Sequence, residues 1–373
     1  METKNVAIIG ASYLQMPLIR KAQEMGYTTH VFAWAANDIG EKAADYYYPI
    51  SIVELDQITE KCREIGICGI CSIASDLASV TVNYVADKLG LIGNSMDATY
   101  KSTNKHLMRL AFEAGGDPSP KSVLVDETTD LESLDFSYPI IVKPTDRSGS
   151  RGICKLESPE GMKDAVQRAK NEGFEKKALI EEYAEGQEYS VEAISYHSKH
   201  TILAMTLKYT TGAPHFIETG HLEPAPVDKE TFNHVSIIVK HALDSLGIKN
   251  GASHSEVKID KQGNIKIIEI GGRMGGDCIG SDLVYYSTGI DYVKAVLQIA
   301  VGEEPDLEPK AEGFAVSSHF IFTEKDVAEM EEIRKNRPSD FLKLVYLRED
   351  LLNKTTNSSD RAGCYITREY VEK

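Results

Sequence analysis

The first hundred residues of this chain alternate between strand and helix signals, which narrows the folds open to it more than any other feature. VAIIG (6–10) is an apolar strand ending at Gly10. From Leu14 to Met25 the apolar residues Leu14, Leu18, Ile19 and Ala22 recur at helical spacing, and HVFAW (30–34) is a second strand. Asp56 to Ile65 reads as a helix, Ile67 to Ile73 as a strand and Val80 to Leu89 as a helix, before Gly90-Leu-Ile-Gly93 closes the series. Alternation of this kind with short connections predicts a parallel sheet covered on both faces, an α/β domain over residues 1–97. Its first turn, Gly10 to Gln15, lacks the GxGxxG fingerprint, so a dinucleotide role is disfavoured.

Beyond Asn94 the texture changes to α+β. Asn104 to Ala114 is a polar helix, and strands then arrive in hairpins: 138–144, 152–156, 178–183, 188–196 and 201–209, with His197 to His200 joining the last two. Met162 to Asn171 and Phe232 to Leu246 read as helices, followed by two strands around Gly263. The expected units are 98–185, 186–305 and a C-terminal extension, 306–373, packed on the unit before it. That extension holds a strand-like run (315–322) and a charged helix (324–336) to which no chemistry attaches.

The 373 residues suggest two or three domains at about 150 residues each. A formal charge of −16 argues against nucleic acid or an anionic membrane as the main partner. No apolar run approaches the roughly 18 residues of a membrane span. Cys68 and Cys71 have CxxC spacing inside the strand-like ICGICSI, yet no second CxxC or nearby His completes a zinc set, so buried structural thiols are expected. With no secretory signal and scattered cysteines, the expected location is cytoplasmic.

Three constellations carry chemistry. In the first, HSEVKID (254–260) and IKIIEI (265–270) flank the short loop Lys261 to Asn264. A symmetric hairpin about that loop sets Glu256 opposite Glu269, with His254 on the face of Glu256. Facing carboxylates repel unless something neutralises them, and a hard divalent cation does so while also holding phosphate. Gly271-Gly-Arg273-Met-Gly-Gly276 follows at once, a glycine-rich turn presenting an arginine that forks onto carboxylate or phosphate. In the second, Lys143 ends an apolar strand before Pro144, ahead of the small, basic loop Arg147-Ser-Gly-Ser-Arg-Gly152, whose backbone N–H groups can cradle phosphate oxygens. In the third, Ala178 to Glu188 is a strand, two acids, an aromatic, then Gly186 turning the chain into the next strand. Loops around Thr219-Gly-His221 and Asp277 to Tyr286 are further pocket candidates. No GxSxG, HExxH or Walker sequence occurs.

In this order and spacing the three constellations resemble the ATP-grasp superfamily, within it most closely the carboxylate–amine ligases of the L-amino-acid ligase kind. The chain is also similar to the ATP-grasp units of carbamoyl-phosphate synthase and biotin carboxylase. The resemblance implies a pre-ATP-grasp domain of α/β class followed by an ATP-grasp domain of two α+β subdomains, with ATP held between two sheets. It implies transfer of the γ-phosphate to a carboxylate and attack on the acyl phosphate by an amine, giving an amide, ADP and phosphate. By motif, Lys105 and Lys143 would contact the phosphates, and Ser148, Gly149, Ser150 and Gly152 would cover them. Glu181, Glu182, Tyr183 and Ala184 would frame adenine, mainly through main chain; Glu188 would bind ribose, and His215 would lie near the nucleotide. Glu256 and Glu269 would bind Mg²⁺, or Mn²⁺ in its place. Arg273 would steady the acyl phosphate with Lys143 as its catalytic companion, and His254 would line the acceptor pocket. Small-molecule substrates are implied, and a homodimer is common among such relatives. One departure stands out: where many relatives read Glu-x-Asn-x-Arg, this chain has Gly271 between Glu269 and Arg273. The alternatives are a bicarbonate-activating unit and a nucleotide-binding module without catalysis.

Overall fold

The computed structural model describes residues 4–147, 149, 151–212, 217–354 and 360–370. Strands β1 (Asn5–Ile9), β2 (Thr28–Phe32), β3 (Tyr46–Tyr48) and β4 (Gly69–Cys71) form a parallel sheet in the order β3-β2-β1-β4. Val6 to Ile9 are all fully buried because their side chains alternate between two cores. Val6 and Ile8 join the core beneath helices Met16–Glu24 and Tyr292–Ala300; Ala7 and Ile9 join the one beneath helices Leu55–Ile65 and Asp76–Leu89. A strand covered on both sides must be apolar throughout, as VAII is. The last helix of this domain begins at Asp76, four residues before the apolar stripe announces it, with Ser75 as its cap.

Strands β5 (Ser122–Val125), β6 (Ile140–Pro144), β7 (Cys154–Leu156) and β8 (Ala178–Glu182) make an antiparallel sheet ordered β5-β8-β6-β7, backed by helix Met162–Glu172. The remaining strands are β9 (Gln187–Tyr196), β10 (Lys199–Thr210), β11 (Glu218–Glu223), β12 (Gly251–Ile259), β13 (Ile265–Gly271), β14 (Val316–Ile321), β15 (Phe341–Leu347) and β16 (Gly363–Arg368). They form one eight-stranded antiparallel sheet, β13-β12-β9-β10-β11-β14-β16-β15. The C-terminal segment is therefore built into this sheet through the β11–β14 pairing, rather than laid upon it. Helices Lys105–Gly115 and Lys229–Leu246 pack beneath its other end through Met108, Phe112, Val239 and Leu243. All six cysteines are unpaired; Cys71 is buried and Cys68 half-buried. Among the described residues no helix is long and apolar enough to cross a membrane.

The chain passes from the small sheet to the large one through Gly186, between β8 and β9. Its φ is +112°, and a Cβ there would lie 2.2 Å from the Ile259 carbonyl oxygen. Strain and collision coincide, so G186A is expected to lower the unfolding free energy by about 2 kcal/mol or more. Urea denaturation checks this, and an unchanged midpoint would contradict the placement.

Candidate active site

The facing carboxylates are reached by a different route from a simple hairpin. The turn takes five residues, 260–264, so Ile259 pairs with Ile265. One extra residue on β13, Ile268, then restores the offset: Val257 pairs with Ile267, and Glu256 with Glu269. The carbonyl of that bulged residue accepts 2.7 Å from Arg109 Nη2. Bulges beside a site re-aim the side chains around them. Neither carboxylate is bare. Lys208 Nζ lies 2.6 Å from Glu256 Oε1, and Lys105 Nζ lies 2.9 Å from Glu269 Oε1. Burial alone would raise the Glu256 carboxyl, but Lys208 and His254 outweigh it and hold it well below the usual range. Lys208, likewise disfavoured by burial, is raised well above the ordinary lysine value by Glu188 and Glu256.

Behind the lysines sits a buried triad. Glu181 is 2.5 Å from Lys143 Nζ and 2.9 Å from Arg109 Nε. Burial lowers the Lys143 ammonium against the pull of Glu181. The Glu181 carboxyl, which burial would raise, is held below its usual range by Arg109 and Lys143. The Glu181 side chain is thus committed to Lys143 and Arg109. Lys105 opens its helix under the Asn104 cap and also donates to the Arg147 carbonyl at 2.7 Å, tying the basic loop to the site. Gly149 and Gly152 in that loop have φ of +72° and +71°. At the hinge that joins β8 to β9, Glu182 pairs with Lys266 at 2.7 Å, the Ala184 carbonyl accepts from Lys258 at 3.2 Å, and the ammoniums of Lys155 and Lys258 lie 4.3 and 4.8 Å from the centre of the Tyr183 ring. Glu188 is 2.8 Å from Lys208. Ser148, Ser150 and His215 lie outside the described residues.

Arg273 is gripped from the N-terminal domain. Its Nε and Nη2 donate to the two oxygens of Asp76, at 2.7 and 3.1 Å. Burial would raise the Asp76 carboxyl, and Arg273 reverses that. His254 Nδ1 lies 2.5 Å from Glu192, a fully buried carboxylate that also accepts from the Gly275 N–H at 3.0 Å. Against burial, Glu192 lifts the His254 imidazole to about 9.

Two cavities meet here. One, about 170 Å³, runs from the hinge residues past Lys105 and Lys143. The other, about 750 Å³, is a chamber walled by Tyr13 and Asp38 of the first domain and by Tyr346 and Arg361 of the C-terminal segment. They share Gly149, Lys208, Glu218, His254, Glu256 and Arg273, which form the seam. His221, Asp277 and Ile279 line the chamber, although Thr219 to His221 belong to strand β11 rather than to a loop, and Arg361 Nη2 holds Asp277 at 2.5 Å.

Several of these residues escaped sequence reasoning. Arg109 is one helical turn from Lys105, a signal that was present (i, i+4). Lys208 and Glu192 reach the site by strand register alone, and Arg361 from the loop just before β16. Asp76 was hidden because the stripe starts the helix at Val80, although Ser75-Asp76 has the form of a cap.

Among the described residues no group of three or more His, Cys, Asp or Glu side chains is arranged to hold a metal. Glu256 and Glu269 nonetheless suit a hard cation that takes one or two carboxylates and completes its shell with phosphate oxygens and water.

Residues 136–282 match the family model described as "ATP-grasp domain". The chain contains an ATP-grasp domain. Alanine–anticapsin ligase of Bacillus subtilis (strain 168) is 27% identical over 272 residues, covering 64% of this chain and 58% of the relative; the chain thus spans less than two thirds of that relative's length. The crystal structure of L-amino acid ligase from Bacillus licheniformis superposes with a TM-score of 0.84 at 21% identity, covering 100% of this chain and 94% of that one. That of phosphoribosylglycinamide synthetase from Anaerococcus prevotii gives 0.78 at 23%, covering 99% and 95%. These likenesses extend the fold of the ATP-grasp domain to the sheet domain before it and the segment after it.

The chamber carries a pH liability. His221 is 1% exposed and bonded to Ser318 at 3.0 Å, and burial pushes its imidazole down to about 3. The unfolded chain binds the proton first, so stability is full above about pH 6.5 and falls as the pH drops towards 3. This group should make the protein about 2 kcal/mol less stable at pH 5 than at pH 7. H221Q should remove that increment in urea titrations at the two pH values; an identical pH slope in the variant would refute the assignment.

Proposed function

We propose that the protein is an ATP- and Mg²⁺-dependent, ADP-forming ligase that joins a carboxylate to an amine through an acyl phosphate, an amino acid being one substrate. The observation that carries this reading is the seam, where facing glutamates and an anchored arginine lie between the cleft at Lys105 and Lys143 and the larger chamber that meets it. A chamber of about 750 Å³ far exceeds what bicarbonate requires, which favours an organic substrate.

ATP would lie in the smaller cavity with adenine at Glu182 to Ala184, ribose towards Glu188, and phosphates towards Lys105 and Lys143. When bound, the divalent ion held by Glu256 and Glu269 neutralises phosphate charge. A carboxylate in the chamber beside Arg273 is placed to attack the γ-phosphorus. A carboxylate oxygen forms the new P–O bond, the bond to ADP breaks, and the acyl phosphate remains. The amine nitrogen then attacks the acyl carbon, phosphate leaves and the nitrogen gives up a proton. Phosphoryl transfer of this type needs positioning and charge neutralisation rather than a covalent residue. Acyl phosphates are lost to water unless it is excluded, and Gly149 of the basic loop lines both cavities at their junction.

Phosphate release from ATP and Mg²⁺ should depend on amino acids, supplied singly and in pairs; release stimulated only by bicarbonate would replace the proposal, and nucleotide binding without turnover would reduce the chain to a binding module. E269Q should cut turnover by about 100-fold or more with its unfolding midpoint kept. Near-normal turnover in that variant would remove the metal assignment.

A further inference from the structure

We infer that Asp76 is a positioning residue for Arg273, supplied by the N-terminal domain, and that Gly271 is glycine because this carboxylate occupies the space its side chain would need. The inference rests on the proposed role of Arg273 at the seam. Three observations carry it.

The first is the shape of the contact. Asp76 takes the Nε and Nη2 side of the guanidinium at 2.7 and 3.1 Å, while Nη1 reaches the Met274 carbonyl at 3.3 Å. A guanidinium has more N–H groups than these contacts use, and the edge between Nη1 and Nη2 remains to fork onto a phosphate or carboxylate. Asp76 thereby determines which edge faces the ligand.

The second is the space. A Cβ on Gly271 would lie 2.9 Å from Asp76 Oδ1, 3.3 Å from Arg273 Nε and 3.4 Å from its Cζ. The φ of Gly271 is not in the left-handed region, so the glycine answers crowding rather than backbone conformation. The residue that departs from the Glu-x-Asn-x-Arg pattern is therefore the one pressed against the carboxylate from the other domain.

The third is how Asp76 is held. It opens helix Asp76–Leu89 with Ser75 as cap, and an acidic residue in a first helical turn is favoured by the helix dipole. Two residues before it, the Ala74 N–H donates to the Met274 carbonyl at 3.2 Å, so backbone as well as side chain joins this corner to the glycine-rich turn. A side chain fixed by both its own helix and the turn it serves can place a partner within the tolerance catalysis demands.

The test compares wild type, D76A, G271A, the double variant and R273M, with kcat and KM measured for ATP and the best carboxylate–amine pair. D76A and G271A should each lower kcat by about 30-fold or more while the KM for ATP moves less than about threefold, because the nucleotide is held elsewhere. The double variant should be no slower than D76A, since both changes act through one guanidinium. Losses that multiply, or D76A within about threefold of wild type while R273M is inactive, overturn the inference. An active R273M instead removes the role given to Arg273 in the proposed reaction. Should D76A unfold, D76N keeps the volume and carries the same expectation. A wild type without turnover on any carboxylate removes the proposed reaction; the coupling is then read from thermal unfolding of D76A, G271A and their double variant, where non-additive shifts support it and additive ones overturn it.

Discussion

Two carboxylates facing each other across a β-ladder repel, and the arrangement around Glu256 and Glu269 is organised by the need to compensate that repulsion. Lys208 answers Glu256 and Lys105 answers Glu269, each from a different element. The same rule repeats one layer back, where Glu181 is placed between Lys143 and Arg109, and across the domain junction, where Asp76 meets Arg273. Buried charges of this kind are costly to leave unpaired, so each pair constrains its neighbours. The result is a cleft whose cations are held in place before any anion arrives, which is the condition under which charge stabilisation is effective.

The three architectural units contribute unequally to the seam and its surroundings. The small sheet supplies Lys143 and the basic loop; the large sheet supplies both glutamates, Lys208 and His254. The parallel-sheet domain lends Asp76 and Tyr13, and its core is closed by helix Tyr292–Ala300 from the other end of the chain. The C-terminal strands, to which the sequence attaches no chemistry, extend the large sheet and bring Arg361 and Tyr346 to the chamber wall. The chamber is thus bounded by residues that lie more than three hundred positions apart.

What could be read in advance follows a physical division. Alternation of VAIIG, helix and HVFAW reveals the parallel sheet because a strand buried on both faces leaves a continuous apolar run. The helix at 324–336 is legible because its capping box, Thr323 with Asp326, is written locally. Glu256 and Glu269 are legible as partners because a hairpin ties their positions together, although the five-residue turn and the bulge at Ile268 are two departures that cancel. Lys208 is not legible, because its partner Glu256 lies two strands away, and no local pattern orders β10, β9 and β12 side by side. Strands β3 (YYY) and β11 (ETGHLE) carry aromatic or polar residues that do not alternate cleanly, and β5 (SVLV) is only four residues long, so neighbouring strands define them more than their own sequence.

The central claim is that the γ-phosphate of ATP meets a carboxylate at the seam between the two cavities. Supplying the carboxylate substrate with heavy oxygen isotope in its carboxyl group tests this directly, with the released phosphate read by phosphorus NMR or mass spectrometry. Direct phosphorylation of the carboxylate predicts one heavy oxygen in each phosphate formed, alongside ADP. Phosphate free of label, or AMP and pyrophosphate as products, would contradict it.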